Sequence, residues 1–174
     1  MTKRAIIFIG IPASGKSTFY ERKFSDEYSR INLDTLKTRN KEKIWLEEFM
    51  GAGKNIVIDN CNPEKLDRQR YIPALKALDY EIHCYYFKSW VERCSERNQQ
   101  REGKAQVPKV AIISHKQKLE NPSFDEGFDR IFFVEIVPPL GEDKEELFRI
   151  KELHKVFEDA YIRGEIEFWE DFFS

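Results

Sequence analysis

The stretch AIIFIGIPASGKSTF, residues 5–19, joins a short apolar run to a loop of small residues. The run AIIFI is apolar and rich in isoleucine, which is typical of a strand buried on both faces. The loop GIPASGKS, residues 10–17, matches the spacing G-x-x-x-x-G-K-[ST] at every fixed position, and the following KSTFYERKF can form a helix. A strand, a phosphate-binding loop and a helix are therefore predicted in this order.

The same stretch could also be read as a secretion signal, because Lys3 and Arg4 precede an apolar run. A signal needs about 7–15 apolar residues, whereas the purely apolar run here covers only residues 5–9. No apolar run approaches the roughly 20 residues of a membrane-spanning helix, and the three cysteines lack paired spacing. We therefore expect a cytoplasmic or otherwise intracellular protein without a membrane partner.

The predicted loop has the chemistry of a nucleoside triphosphate site. Gly10 and Gly15 allow successive backbone N–H groups to point at one anion, and the helix adds its positive N-terminal end. Lys16 is predicted to reach the β- and γ-phosphates, and the Ser17 hydroxyl to hold Mg²⁺. ATP and Mg²⁺ are thus the expected cofactors, and the predicted ATP-binding residues of the loop are Gly10, Pro12, Ala13, Ser14, Gly15, Lys16, Ser17 and Thr18.

Length and patterning predict the fold class. The 174 residues suit one domain, residues 1–174, in which strands alternate with helices. After the first strand, SRINL, NIVID, EIHCYYF and RIFFVEIV read as strands. The prediction is an α/β P-loop NTPase fold with a parallel five-stranded sheet flanked by helices.

The C-terminal segment, about residues 142–173, is predicted to be helical. Its apolar residues Leu147, Ile150, Leu153, Phe157, Ala160 and Tyr161 follow helical spacing. The later aromatic cluster Phe168, Trp169, Phe172 and Phe173 has two interpretations, namely packing on the domain or self-association.

Two carboxylates follow predicted strands, at the sheet edge where ligands bind in open α/β folds. Asp34 could accept the proton of an attacking hydroxyl, or it could cap the next helix. Asp59 could hold a Mg²⁺-bound water or a substrate hydroxyl, or its segment could form an Asx turn in which Asn62 takes part. The residues alone leave both choices open.

A basic segment between two predicted helices is a candidate lid. Residues 97–108 carry Arg97, Arg101 and Lys104, and arginines that close over a transferring phosphoryl group would match its negative charge. A solvated surface loop is the alternative. The net charge of the chain is −2, and residues 88–120 hold eight Lys or Arg against four acids.

Five segments in this order resemble the 5′-hydroxyl polynucleotide kinases, both the phage enzymes and the kinase domain of animal kinase/phosphatases. They are GIPASGKSTF, INLDTLKTR, IDNCNP, ERNQQR with the following VP, and SFDEGFDRI, and they span about residues 5–136. The first is common to many proteins, whereas the combination is more specific.

The resemblance implies catalytic roles for Asp34 as the base, for Lys16, and for Arg101 as the lid arginine on the transferred phosphate. It implies donor contacts for Arg97, and it implies that Ser17 and, through water, Asp59 hold the metal. The acceptor-binding residues that it implies are Asp34, Lys37, Arg39, Asp59 and Asn60.

This chain departs from the phage enzymes at two positions next to the base. Leu33 stands where those enzymes have arginine, and Lys37 stands where they hold the acceptor phosphate with arginine, with Arg39 close by. Lysine offers a point charge rather than a planar fork, so the grip on the acceptor is expected to differ.

Three functions are compatible with these features of the sequence. The first is an ATP-dependent kinase acting on the 5′-hydroxyl ends of DNA or RNA. The second is a kinase of a small metabolite, such as a sugar acid, a nucleoside or an antibiotic, which the overall acidity favours slightly. The third is a nucleotide-binding interaction module without a phosphoryl acceptor.

Overall fold

A sheet of six strands forms the centre of the computed structural model, which describes residues 2–137 and 147–163. The strands are β1 (Arg4–Ile9), β2 (Ser29–Ile31), β3 (Ile56–Ile58), β4 (Glu81–Phe87), β5 (Arg130–Val137) and β6 (Leu147–Leu153). The helices are α1 (Lys16–Lys23), α2 (Leu33–Leu36), α3 (Arg39–Gly51), α4 (Lys65–Arg68), α5 (Ile72–Ala77), α6 (Val91–Gln99), α7 (Lys109–Lys118) and α8 (Lys155–Ile162). None of the helices in these two ranges is long and apolar enough to cross a membrane.

The strand order β2-β3-β1-β4-β5-β6 places β1 in the interior of the sheet, between β3 and β4. The first five strands pair in parallel, so their carboxyl ends all lie at one edge. Ligands of open α/β sheets bind outside this edge. The loops that follow β1, β2 and β3 are therefore brought close together.

The apolar residues of β1 alternate between two cores, one on each face of the sheet. Ile7 and Ile9 belong to the larger cluster, whereas Ile6 and Phe8 belong to a cluster that also contains Phe19 of α1. The rings of Phe8 and Phe19 meet edge to face, with 6.0 Å between centroids. These contacts hold α1, and the loop before it, against the sheet.

The prediction of five parallel strands is corrected by β6, which pairs antiparallel to β5 from Val137↔Leu147 to Ile131↔Leu153. The helix predicted for residues 142–173 is therefore wrong for residues 147–153. The physical reason is that the open edge of β5 offers unpaired backbone groups, which β6 satisfies.

Side chains on β6 support this pairing on both faces of the sheet. Leu153 joins the larger core, and Phe148 packs on Phe19 with 5.0 Å between ring centroids. Arg130 of β5 binds Glu152 of β6 through two hydrogen bonds of 2.7 Å. Helix α8 agrees with the predicted helical end, and the aromatic cluster at residues 168–173 lies outside the described residues.

The segment after β2 forms two helices, α2 and α3, with a break between them. Asn32 caps α2 by accepting from the Thr35 N–H at 3.0 Å, and Thr38 caps α3 by accepting from the Lys41 N–H at 3.2 Å. Lys37 between them has a left-handed backbone, with φ of +71°. The two caps place Asp34 on a short separate helix.

Candidate active site at the carboxyl edge of the sheet

The loop after β1 has the geometry of an anion cradle. Gly15 has φ of +96°, and a Cβ atom there would lie 2.6 Å from Ile136 Cδ1. A Cβ atom on Gly10 would lie 2.7 Å from Ser14 Oγ. Gly15 is also the N-cap of α1, and no side chain caps this end within the described residues, so the first backbone N–H groups of the helix can face a ligand.

Lys16 is buried within this loop. Its Nζ donates to the carbonyls of Gly10 at 2.9 Å and Ile11 at 2.8 Å, and it lies 3.4 Å from Ser14 Oγ. The ammonium group is thus held at the predicted phosphate site. To contact a phosphate it would exchange part of these hydrogen bonds.

Ser17 and Asp59 meet, as expected for a pair that holds Mg²⁺. The Ser17 hydroxyl donates to Asp59 Oδ2 at 3.2 Å, although the two residues are 42 positions apart. Arg30 of β2 also binds Oδ2 through its Nε, at 2.9 Å, and through Nη2. A hydroxyl and a carboxylate are oxygen ligands that suit Mg²⁺, so these side chains fit the ion. No group of three or more His, Cys, Asp and Glu side chains within residues 2–137 and 147–163 could hold a metal by itself.

Asp34 lines a separate cleft of about 300 Å³, which neither Ser17 nor Asp59 lines. Asp34 is exposed. The two residues before it bind the loop that follows β3. The Asn32 amide donates to the Asp59 carbonyl at 2.7 Å, and the Leu33 N–H donates to Asn60 Oδ1 at 2.8 Å. The cleft therefore adjoins the metal pair through the backbone of Asp59. Its lining residues are Leu33, Asp34, Arg39, Asn60, Cys61, Asn62, Pro63, Glu64, Asp67, Ser114, His115 and Lys118.

A buried polar network supports two lining residues, Arg39 and Asn60. Glu42 accepts from Arg39 at 2.8 Å and from the Asn60 amide at 2.6 Å, and the Tyr71 hydroxyl donates to it at 3.0 Å. Burial, followed by the charge of Glu42, raises the pKa of Tyr71 to about 12, so this hydroxyl remains a donor at neutral pH. The network fixes the positions of an arginine and an amide at the cleft.

The wall formed by residues 62–64 is supported by a second buried group, Arg68. Its guanidinium forms two hydrogen bonds to Glu126, of 2.6 and 2.9 Å. It also donates to the carbonyls of Asn62 at 3.1 Å, Pro63 at 3.0 Å and Glu120 at 3.3 Å. Arg68 therefore joins the loop after β3 to the segment that follows α7, and so connects two walls of the cleft. Asn62 itself donates to the Phe8 carbonyl at 2.8 Å and has a left-handed φ of +45°, so its side chain ties the loop after β3 to β1.

The candidate lid contacts the phosphate loop through Arg97. Its Nε donates to the Ala13 carbonyl at 2.8 Å, where Ala13 has a left-handed φ of +63°. Arg101 instead donates to the Ala105 carbonyl at 3.4 Å, within residues 100–108. Arg97 thus lies at the loop, whereas the hydrogen bond of the Arg101 side chain stays within the lid.

Sequence reasoning missed several residues of this site. Arg30, Glu42 and Tyr71 support predicted residues, and Ser114, His115 and Lys118 line the cleft. The signal for Glu42 was its i,i+3 spacing from Arg39. Residues of α7 carried no such signal, because only the tertiary fold brings this helix to Asp34.

Comparisons with known proteins agree with this architecture. A family model described as an AAA domain matches residues 43–122. A bifunctional polynucleotide phosphatase/kinase of Schizosaccharomyces pombe is 32% identical over 130 residues, which are 72% of this chain and 32% of the relative. The chain thus spans about a third of the length of the curated relative.

Two solved structures share the fold. A chain of the Pnkp1/Rnl/Hen1 RNA repair complex is 25% identical with a TM-score of 0.57, over 68% of this chain and 44% of that one. A gluconokinase from Sinorhizobium meliloti 1021 is 18% identical with a TM-score of 0.54, over 78% and 84% of the two chains. This second likeness concerns the fold alone. Together with the strand order, these matches confirm the predicted P-loop α/β fold and the resemblance to polynucleotide kinases.

Proposed function

Because this chain is a P-loop protein related to the polynucleotide phosphatase/kinases, we propose that it transfers the γ-phosphate of ATP to the 5′-hydroxyl end of DNA or RNA. One observation carries the proposal. The exposed carboxylate of Asp34 lines a cleft that adjoins, through the Asp59 backbone, the Ser17–Asp59 pair of the phosphate loop.

On the donor side, the phosphate loop would bind the triphosphate. The uncapped N-terminus of α1 and the Lys16 ammonium would face the β- and γ-phosphates. Ser17 would hold Mg²⁺ directly and Asp59 would hold it through water, and the ion would neutralise charge on the phosphate oxygens. Arg30 supports this role by orienting the Asp59 carboxylate.

On the acceptor side, Asp34 would accept the hydroxyl proton. The oxygen of the acceptor forms a bond to the γ-phosphorus, the bond from that phosphorus to the bridging oxygen breaks, and ADP leaves with the electron pair. Arg101 and Arg97 would cover the transferring group if the lid closes further, since arginine matches its spread negative charge. The buried network around Glu42 would hold Arg39 and Asn60 against the acceptor.

A small-metabolite kinase is the second candidate. The net charge of −2 and the cleft volume of about 300 Å³ favour a small acceptor, since nucleic-acid enzymes usually show a broad basic face. The two candidates differ in their response to salt, because only a polyanion binds more weakly in proportion to the phosphates contacted.

The test is transfer of labelled phosphate from γ-labelled ATP to a panel of DNA, RNA, nucleosides and small sugars, with Asp34→Asn as the inactive control. We expect label on 5′-hydroxyl oligonucleotides and none on the same oligonucleotides that already carry a 5′-phosphate. Transfer to a sugar or nucleoside alone would favour the second candidate. Nucleotide binding without transfer to any member would leave only the interaction module.

A further inference from the structure

Lys37, the cation that follows the proposed base, does not face the acceptor cleft. It is the C-cap of α2 with a left-handed backbone, its side chain is exposed, and its Nζ donates to the carbonyl of Asp34 within the same helix. Lys37 is also not among the residues that line the cleft. Lys37 therefore contributes no cation to the lining of the cleft in this structure.

The opposite wall of the cleft supplies such a cation from α7. Ser114, His115 and Lys118 line the cleft and lie at i, i+1 and i+4, which is one face of the helix. Lys118 is exposed, and within the part of the chain that the structure describes it has no hydrogen bond or ion pair from its side chain. Its ammonium is free to take an anionic ligand.

His115 beside it has one ring nitrogen already engaged. Nδ1 lies 2.7 Å from the Ala111 carbonyl, and a carbonyl oxygen only accepts, so Nδ1 carries the hydrogen. Nε2 is therefore the ring nitrogen that remains for a ligand. The same bond holds the ring on the helix face that Lys118 shares.

The near wall supplies a second cation, Arg39. Glu42 and Tyr71 both bind its Nη1, and the side chain stays 44% exposed, which leaves the rest of the guanidinium at the cleft. Two of the acids that line the cleft compete less with a phosphate for this guanidinium, because they already have other partners. Glu64 and Asp67 are engaged in the capping box of α4, and Asp67 also pairs with Arg70 at 3.5 Å.

We propose that Lys118 of α7 and Arg39 of α3, which face one cleft with Asp34, bind the first phosphate of the acceptor strand, in place of Lys37. This inference rests on the proposed function and adds to it the residues that recognise the polynucleotide. The expected acceptor is therefore a hydroxyl compound that carries a phosphate one nucleoside away from the reacting oxygen. With the hydrogen of the neutral ring on Nδ1, His115 Nε2 accepts, so it takes a neighbouring hydrogen bond from a hydroxyl of the acceptor and not from the phosphate.

Three matched variants test the proposal, namely Lys118→Met, Lys37→Met and, as the control, Lys116→Met. Lys116 is exposed on the same helix and lies outside the cleft. Each variant removes one exposed charge, so equal melting temperatures would show that all three fold. Binding of a short 5′-hydroxyl oligonucleotide is measured by fluorescence anisotropy over a salt series, and transfer is measured with the same acceptor and with a free nucleoside.

Lys118→Met is expected to weaken oligonucleotide binding about tenfold and to lower the slope of log K against log salt by about 0.7, the value of one single-strand phosphate contact. Its KM for the oligonucleotide should rise with kcat nearly unchanged, and its KM for the nucleoside should match wild type. Lys37→Met and Lys116→Met should stay within about twofold of wild type.

The outcomes separate the two claims. If the wild-type protein phosphorylates 5′-hydroxyl ends but Lys118→Met behaves like Lys116→Met, the inference fails and the proposed function stands. If Lys37→Met shows the loss instead, the phosphate grip lies on α2 and the inference also fails. A wild-type protein that neither binds nor phosphorylates the oligonucleotide overturns both.

Discussion

Replacing Glu126 by Gln tests the buried support of the cleft. The Arg68 side chain is 0% exposed and the Glu126 side chain 4% exposed, and Gln keeps the size of Glu126 while removing its charge. Arg68 would then remain as a buried cation whose other hydrogen bonds go only to the carbonyls of Asn62, Pro63 and Glu120. Breaking a buried pair in this way costs about 3–5 kcal/mol.

The assay is urea and thermal unfolding of Glu126→Gln beside Glu96→Gln. The Arg93–Glu96 pair is exposed by 63% and 60%, so its loss should cost less than about 0.5 kcal/mol. For a chain of this size about 3–5 kcal/mol corresponds to a fall in melting temperature of roughly 6–20 °C. Replacing both partners, Arg68→Met with Glu126→Leu, should recover part of the loss, because no buried charge remains, although the carbonyls of Asn62, Pro63 and Glu120 lose this donor. A Glu126→Gln cost equal to that of Glu96→Gln would refute this reasoning.

Four further outcomes are expected. Asp34→Asn should lower kcat by about 10²–10⁴-fold with ATP affinity unchanged, as measured by a transfer assay and by isothermal titration. If kcat and ATP affinity fall together, Asp34 is not the base. Arg101→Ala should lower kcat more than it weakens ATP or acceptor binding, because the lid charge acts on the transition state; an equal loss of ATP binding and of rate would mean that it only grips the nucleotide. Gly15→Ala should lose ATP binding, since its Cβ would meet Ile136 at 2.6 Å with φ of +96°; unchanged affinity by titration would contradict the cradle. Burial lowers the pKa of His83 despite the neighbouring Glu81, so folding disfavours protonation of His83, and stability should be lost as the pH falls below about 6.5. In urea unfolding of His83→Gln below that pH, the free energy of unfolding should depend on pH less steeply, by up to about 1.4 kcal/mol per pH unit. An unchanged pH dependence would count against a buried neutral His83.

The local part of the site is predictable from sequence because its signals are local. A strand, a loop with two glycines and a helix follow within residues 5–19, and Gly15 indeed has the left-handed backbone that the motif needs. Asp59 after β3 is equally visible, since the carboxyl ends of parallel strands meet at one edge. These features depend on neighbouring residues and on the class of the sheet.

The parts that were missed depend on distant segments. Leu147, Ile150 and Leu153 fit helical spacing, but the open edge of β5 makes their segment a strand. Arg68 and Glu126 are 58 positions apart, and neither has a sequence signal that joins them. The α7 wall of the cleft is likewise set by tertiary packing, which no local pattern of α7 indicates.

The central claim is that the cleft beside the Ser17–Asp59 pair receives the acceptor, with Asp34 as its base. A crystal structure with Mg²⁺, a non-hydrolysable ATP analogue and a 5′-hydroxyl dinucleotide measures this directly. The account expects an Asp34 carboxylate oxygen at about 2.6–3.2 Å from the 5′-oxygen, with that oxygen in line with the γ-phosphorus. A 5′-oxygen bound elsewhere, with Asp34 outside hydrogen-bonding reach, would contradict it.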